Sequence, residues 1–190
     1  MDVLPGDDGR PRCWWCLGAP EYVEYHDRVW GRPMRGEREL FEMLTLELFQ
    51  SGLSWLTILR RRAGFRTAFA GWDVERIAAF GERDVQRLLG DPRIVRHRGK
   101  IEAAVANARA TLALRRDGSA LADVVWSFAP AAERGAPRTR ADLAASTPES
   151  TALARELKRL GFRFVGPTTA HAFMQAAGLV NDHLAACAFR

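Results

Sequence analysis

Four residues near the two ends of the chain could together hold a metal ion. His183 and Cys187 stand four positions apart, so on a helix they would project from one face, one turn apart. Cys13 and His26 lie near the other end. Two thiolates and two imidazoles suit tetrahedral zinc, and with no open coordination position such a site would be structural.

Cys16 leaves the ligand set open from the pattern alone. Cys13 and Cys16 form a C-x-x-C pair that could itself supply two ligands, and the spacing matches no zinc-finger pattern. The alternative is a set of unrelated buried thiols and helix-surface histidines. Three cysteines are an odd count, which argues against a disulfide framework.

A carboxylate occupies an apolar helix face. In ELFEMLTLELFQSG, a stripe at i, i+3, i+4 and i+8 is formed by Leu40, Met43, Leu44 and Leu48. Glu47 takes the i+7 position of the same stripe. A carboxylate there must meet a partner, line a cavity or lose several kcal/mol in desolvation. Glu47 therefore either pairs with an arginine at the margin of the stripe or lines a pocket.

Aromatic residues crowd around this acid in the sequence. Each is a core candidate first, because most large rings in a globular domain are buried in its core. An acid beside a cluster of rings is also what a pocket for an extruded, electron-poor base would need. The residues concerned are Trp14, Trp15, Tyr22, Tyr25, Trp30 and Trp55.

The elements that must position these residues are predicted to be helices. Apolar spacing predicts helices over 37–51, 54–70, 74–80, 82–89, 100–116 and 148–160, and a further helix from Pro167 to Gly178. Asp73 and Thr147 are predicted N-caps, and Gly118 ends the fifth helix. No segment shows sustained strand alternation, so the fold class is all-α.

The remaining segments complete a single domain over residues 13–190. Residues 1–12 are polar and carry no pattern, and we expect a frayed tail there. Residues 129–148 are predicted to be a surface loop. Asn181 or Asp182 is predicted to cap a last helix that carries His183 and Cys187.

Residues 150–177 predict helix, short hairpin and helix. Gly161 and Gly166 bracket the FRFV turn. A glycine turn before a helix N-terminus exposes backbone N–H groups that can hold a DNA phosphate. Any tight helical corner looks similar, so the pattern by itself leaves the role open.

A basic cluster supplies a second candidate for contact with a polyanion. In IVRHRGK, the side chains of Arg96, Arg98 and Lys100 could neutralise phosphates, or they could form a solvated helix face. The formal net charge of +5 points mildly towards a polyanionic partner. No apolar run is long enough to span a bilayer, so we expect no membrane partner and a cytoplasmic location. We also expect a monomer that associates with the nucleoid through DNA binding.

The strings themselves resemble a known family. CWWCLGAPEYVEYHDRVWG, SGLSWLTIL, RHRGKI, GFRFVGPTTAHAFMQAAGLVNDH and a terminal H-x-x-x-C are similar to the 3-methyladenine DNA glycosylase I family. The similarity runs from about Arg12 to Cys187. It implies a helical, divergent member of the helix-hairpin-helix glycosylases, with one structural zinc per chain joining the terminal segments.

The resemblance also implies roles for individual residues. The zinc ligands would be Cys13, His26, His183 and Cys187. The base pocket would be formed by Trp15, Tyr22, Tyr25, Glu47 and Trp55, with Glu47 as the catalytic residue. The turn at Gly52 and Leu53 would fill the gap left by the extruded nucleotide, and the hairpin with Gly161 and Gly166 would bind phosphate.

The implied activity is hydrolysis of the N-glycosidic bond of 3-methyladenine in alkylated double-stranded DNA, by base flipping. Two other classes stay open, a non-catalytic DNA-binding module and a glycosylase with another substrate or with lyase activity. No lysine occurs in residues 159–190, which argues against Schiff-base lyase chemistry. The sequence departs from the family at Leu48 and Phe49, where a small residue and then a polar one are usual. The hairpin also lacks the proline-glycine start that is common among other glycosylases with this motif.

Overall fold

A computed structural model describes residues 2–132 and 135–190. Met1, in the predicted tail, and residues 133–134, in the predicted loop, lie outside the described residues. The chain is mostly helical, which confirms the all-α prediction. The helices are α1 (Pro20–Arg28), α2 (Glu37–Gln50), α3 (Trp55–Ala68), α4 (Val74–Ala78), α5 (Glu82–Leu89), α6 (Arg98–Arg116), α7 (Leu121–Trp126), α8 (Pro148–Arg159) and α9 (Pro167–Ala176).

Helix α2 forms the centre of the fold. Every residue from Leu40 to Phe49 is buried, including Glu42 and Glu47, and the helix packs against α3, α6, α7 and α9. The predicted apolar stripe therefore understates its burial. A helix surrounded on all sides by other helices is apolar around most of its circumference.

The predicted helix starts and stops are confirmed at several points. The Asp73 side chain accepts a hydrogen bond from the Arg76 N–H at 3.0 Å. Thr147 and Ser150 form a reciprocal capping box at the start of α8. Gly118, with a φ of +76°, follows the end of α6.

The expected frayed tail is wrong over the residues that the structure describes. A short antiparallel hairpin forms from β1 (Val3–Pro5) and β2 (Pro11–Cys13), with Val3 opposite Cys13. Arg12 is buried and donates hydrogen bonds to the carboxylates of Asp8 and Asp27. Strands of three residues are too short to show alternation, which is why the pattern gave no signal.

The predicted last helix is also wrong. Residues 181–190 form turns, with no helix. The Ala185 N–H donates to the Pro137 carbonyl at 2.8 Å, and the Ala188 N–H donates to the Pro11 carbonyl at 2.9 Å. These amides are satisfied by distant chain segments, so the turn structure needs no helical hydrogen bonds.

Among the glycines of the described residues, Gly178 makes the closest approach to another stretch of backbone, which yields a stability prediction. Its φ is +73°, and a Cβ there would lie 2.3 Å from the Arg32 carbonyl carbon. We expect Gly178→Ala to lower the free energy of unfolding by about 2–5 kcal/mol, from backbone strain plus overpacking. Urea denaturation measures this change.

Gly118→Ala is the matched control, because its φ is +76° and its Cβ would enter open space. That variant should lose only the strain part, about 1–2 kcal/mol. Equal losses for the two variants would contradict the steric argument.

Candidate functional site

The four predicted ligands come together in one buried cluster. All four ligand atoms of Cys13, His26, His183 and Cys187 lie within 4.8 Å of one another. His183 Nδ1 is 3.1 Å from His26 Nε2, and the Cys187 Sγ is 3.5 Å from each of these nitrogens. Tetrahedral zinc, with bonds of about 2.0–2.1 Å to nitrogen and about 2.3 Å to sulfur, would set separations of about 3.3 and 3.5 Å. The residues present therefore fit the ion.

Neighbouring groups hold both imidazoles in orientations that suit metal binding. His26 Nδ1 lies 2.7 Å from the Asp27 carboxylate, so its Nε2 faces the cluster. His183 Nε2 lies 3.1 Å from the Trp30 carbonyl, so its Nδ1 faces the cluster. Acceptors behind the ligating histidines are a regular feature of metal sites, because they fix the ring and its tautomer.

The Cys13 thiol donates a hydrogen bond to Cys187, which together with burial raises the pKa of Cys13; a metal ion would bind both sulfurs as thiolates. The hydrogen bond from Cys13 lowers the pKa of Cys187 well below its ordinary value, against the effect of burial, and His183 and His26 add to the lowering. Cys187 is therefore a thiolate at neutral pH, the form that ligates metals. Cys16 lies outside the cluster, because its thiol donates to the Cys13 carbonyl at 3.2 Å. The structure selects Cys13.

An aromatic wall separates this cluster from a pocket. The Trp15 ring packs edge-on against His26 at 5.2 Å and against Trp30 at 5.1 Å between centroids. Trp30 packs on His183 at 4.7 Å. The other side of Trp15 meets Tyr22 at 5.6 Å. Two of the rings that touch the ligands, Trp15 and Trp30, thus also line the pocket.

The pocket contains all five residues that the family resemblance implies for it. Its volume is about 310 Å³, at the small end of the range for ligand sites. Trp14 and Trp30 belong to the aromatic cluster in the sequence but were not predicted to line the pocket. Four further lining residues, named last below, were not predicted at all. The lining residues are Trp15, Tyr22, Tyr25, Glu47 and Trp55, joined by Trp14, Trp30, Gln50, Leu143, Ala172 and Gln175.

The four missed residues gave different amounts of signal. Gln50 stands three positions after Glu47 on α2, so the helical period places the two on one face. Ala172 and Gln175 lie on α9, and Leu143 lies in the 129–148 loop. Nothing in the sequence tells where that loop runs.

Glu47 is buried at the base of the pocket with only 5% of its surface exposed. Within the described part of the chain, no cation pairs with its carboxylate. Desolvation alone raises its pKa to about 8. The alternative of a surface ion pair with arginine is therefore wrong. That arrangement belongs instead to Glu42, whose carboxylate pairs with Arg62 and Arg66.

The pocket rings are held from behind. The Tyr22 hydroxyl accepts a hydrogen bond from the Leu56 N–H at 3.2 Å, at the first turn of α3. Tyr25 packs against Trp55 at 5.3 Å, and burial followed by the nearby Glu47 raises the pKa of Tyr25. Among the residues that the structure describes, the Trp55 indole N–H is buried without an acceptor. The pocket thus combines a buried acid with rings held in place by their neighbours.

Leu48 and Phe49, the two departures from the family pattern, lie in the core. Both are completely buried, and Phe49 packs against Phe65 at 4.7 Å and Phe69 at 5.9 Å. Neither lines the pocket. The pocket shape is therefore set by other residues of α2.

The turn between α2 and α3 presents Gly52 and Leu53 to solvent. Gly52 has a φ of +81°, and Leu53 is 41% exposed. We call residues 51–54 the wedge turn. The Lys100 ammonium donates to the carbonyls of Phe49 at 2.9 Å and Ser51 at 2.6 Å. A cation at these carbonyls stabilises the C-terminal end of α2.

The prediction that Lys100 contacts phosphate is wrong. Lys100 is only 7% exposed and its donors are used by backbone carbonyls inside the protein. Helical periodicity alone could not distinguish this inward position from its neighbours. Arg98 is exposed but pairs with Glu82 and Glu102, whereas Arg96 is exposed without a carboxylate partner in the described residues.

The segment between α8 and α9 makes the predicted sharp turn. Gly161 has a φ of +92°, and Gly166 is the N-cap residue of α9 in an extended conformation. Asn107 on α6 is hydrogen-bonded to the backbone of this turn. Its side chain accepts from the Arg163 N–H at 2.7 Å and donates to the Arg163 carbonyl at 3.3 Å. We call residues 161–166 the hairpin turn.

The chain matches known proteins over nearly its whole length. The family model described as methyladenine glycosylase matches residues 15–190. DNA-3-methyladenine glycosylase 1 of Escherichia coli (strain K12) is 45% identical over 177 residues, 93% of this chain and 95% of the relative. DNA-3-methyladenine glycosylase of Haemophilus influenzae is 40% identical over 178 residues, 93% of this chain and 96% of the relative.

The same similarity holds in three dimensions. A crystal structure of 3-methyladenine DNA glycosylase I matches with a TM-score of 0.90 and 48% identity, covering 93% of this chain and 98% of that one. The fold and the pocket define a helical protein with a small, ring-lined pocket beside a buried acid. This chain belongs to the methyladenine glycosylase family.

The burial of Glu47 predicts a pH dependence of stability. Its pKa rises from 4.5 to about 8 on folding, so in that interval the folded protein holds a proton that the unfolded chain releases. The contribution of Glu47 to the free energy of unfolding therefore falls as pH rises from about 4.5 to about 8. We expect Glu47→Gln to become progressively more stable than the wild type across this range. Urea denaturation at several pH values measures the difference.

Glu42→Gln provides the contrast on the same helix. Its carboxylate pairs with Arg62 and Arg66, so that variant should be less stable than the wild type at neutral pH. A Glu47→Gln difference that stays constant with pH would show that Glu47 is ionised throughout.

Proposed function

We propose that this protein removes 3-methyladenine from alkylated double-stranded DNA by hydrolysing the N-glycosidic bond of the flipped nucleotide. The observation that carries the proposal is Glu47, a buried acid without a cation partner in the described residues, at the base of a pocket of aromatic rings. The names of the similar proteins, which refer to the same base, support it.

The pocket is chemically complementary to this lesion. Methylation at N3 leaves the base in DNA with a positive charge, and electron-rich ring faces attract such a cation. Tyr25, Trp55 and Trp15 supply those faces. The unused Trp55 N–H would donate to a ring nitrogen of the base, and the Glu47 carboxylate would accept from its N–H groups.

Entry of the lesion would change the charge state of Glu47. In the empty pocket its raised pKa keeps the acid largely protonated at neutral pH. A cationic base at hydrogen-bonding distance favours the carboxylate. Binding of the charged lesion would therefore release a proton, and neutral adenine would lack this gain. This difference in binding free energy between the charged lesion and neutral adenine is one source of selectivity.

The reaction needs little from the protein beyond binding and charge placement. The bond between C1′ and N9 breaks with both electrons going to the base, which leaves as a neutral molecule. Water adds to C1′ of the oxocarbenium-like sugar and releases a proton to solvent. Because the leaving group needs no protonation, the protein contributes by extruding the base, holding it and stabilising the sugar cation.

The DNA would lie across the wedge turn and the hairpin turn. Leu53 would enter the gap that the extruded nucleotide leaves, as its exposure and its place between Glu47 and Trp55 suggest. The backbone N–H groups at the start of α9 would hold a phosphate behind Gly161 and Gly166. Arg96 would add a cation nearby.

We also propose that the Cys13–His26–His183–Cys187 cluster binds one structural zinc per chain. Zinc would link the N-terminal hairpin to the C-terminal turns and hold the wall formed by Trp15 and Trp30. All four positions are taken by protein ligands, so the ion would supply cohesion and no reactive site.

The metal prediction is tested by composition. Elemental analysis of the purified protein should give about one zinc per chain, and Cys187→Ser should lose it and unfold at lower temperature, because metal binding adds directly to the free energy of folding. Cys16→Ser is the matched control, a buried thiol outside the cluster that should keep its zinc. Folded wild-type protein free of zinc would contradict the proposal.

Excision by Glu47→Gln tests the role of the acid. The substitution keeps the shape but replaces part of the acceptor edge with a donor, so release of 3-methyladenine from methylated DNA should fall by about 10- to 1000-fold. Zinc content should be unchanged. Released bases are identified by chromatography.

Glu42→Gln controls for a buried acid outside the pocket on the same helix, and at a temperature where it remains folded it should excise at the wild-type rate. Wild-type excision by Glu47→Gln would remove Glu47 from the mechanism.

A further inference from the structure

Two large apolar side chains stand out on the surface of the described residues. They are Leu53, which is 41% exposed, and Phe164, which is 48% exposed. Leu53 has a place in the proposed function as the tip of the wedge turn. Phe164 lies in the hairpin turn, and the proposed function gives it no role.

The backbone at Phe164 is in a conformation that favours glycine. Its φ is +56°, in the left-handed region that bulky L-residues avoid. Such a conformation persists only where the surroundings impose it, and it is concentrated at functional sites. Here Asn107 imposes it, because the buried amide grips both backbone groups of the preceding residue, Arg163. Phenylalanine thus occupies a position whose backbone conformation glycine would adopt at lower cost.

Phe164 belongs to the same surface as the wedge turn. Its ring packs edge-on against His97 at 6.4 Å and reaches to within 3.5 Å of the position of a Cβ on Gly99. The next residue, Lys100, holds the Ser51 carbonyl of the wedge turn. The two exposed apolar side chains are thus fixed to the same first turn of α6.

The charges around the ring suit a polyanion. Arg163 and Arg96 are both exposed, and across the described residues neither guanidinium pairs with a carboxylate. The N-terminus of α9, with Pro167 at its first position, begins three residues after Phe164. An apolar ring among unpaired cations fits the sugar-phosphate chain of DNA, which alternates apolar deoxyribose with anionic phosphate.

We propose that Phe164 is a DNA-contacting residue that packs its ring against a deoxyribose of the strand held by the hairpin turn. The contact rests on the proposed function. It would place an apolar anchor beside the phosphate contacts and fix the register of the duplex relative to Leu53.

Phe164→Gly separates this role from a structural one, because glycine removes the ring and also relieves the backbone strain. Affinity for an undamaged duplex oligonucleotide, measured by fluorescence anisotropy, should fall about 10-fold, as loss of a small buried apolar contact implies. The loss should be the same at every salt concentration, since no ion pair is removed. The melting temperature should stay the same or rise, and binding of free 3-methyladenine should be unchanged.

Two controls sharpen the result. Ala70→Gly relieves a comparable positive φ of +51°, outside the pocket, the wedge turn and the hairpin turn, and should leave DNA affinity unchanged. Arg163→Gln should weaken binding with a shallower salt dependence, which an apolar contact does not produce.

The outcomes are distinct. Wild-type DNA affinity in folded Phe164→Gly overturns the inference while leaving the glycosylase proposal intact, provided that the wild-type protein excises 3-methyladenine. Unchanged affinity together with a change in sedimentation from dimer to monomer would assign the ring to contact between copies of this chain. A wild-type protein that neither excises the base nor binds the duplex would overturn both proposals.

Discussion

The rest of the structure depends on the buried contact among Cys13, His26, His183 and Cys187. These side chains join segments about 170 positions apart, and they do so with groups that are costly to desolvate unless they share a partner. Arg12 and Asp27 brace the cluster from the hairpin side, and the Trp30 carbonyl braces it from the pocket side. Because Trp15 and Trp30 pack directly on the imidazoles, the contact that closes the chain also fixes the pocket wall.

Helix α2 is the second element that organises the fold, because it is buried at the centre and positions two acidic side chains. It carries Glu47 into the pocket while Glu42, on the same helix, is neutralised by Arg62 and Arg66. Two acids on one buried helix thus have opposite environments, and desolvation raises the pKa of the unpaired one, Glu47. The end of this helix is held by Lys100, so the position of the wedge turn is set from α6.

Most of the helices could be predicted from the sequence, because apolar spacing and caps are local signals, whereas the five pocket residues were implied by the family resemblance. The predictions that failed concern residues whose positions are set by contacts with distant parts of the sequence. His183 and Cys187 meet as the i, i+4 spacing suggested, yet they do so in turns whose amides bond to Pro137 and Pro11. Lys100 is part of a basic string but points inward, and Leu143 reaches the pocket from a loop with no local pattern to reveal its route.

The separation of the cluster's two halves along the chain has a consequence for synthesis. The pocket rings and Glu47 belong to residues 14–55, which leave the ribosome early, whereas His183 and Cys187 follow more than a hundred residues later. Contacts of such high sequence separation close late in folding. A nascent chain therefore carries exposed tryptophans without their backing for most of its synthesis. The aromatic wall is complete only once His183 and Cys187 have joined it, so the pocket depends on both ends of the protein being in place.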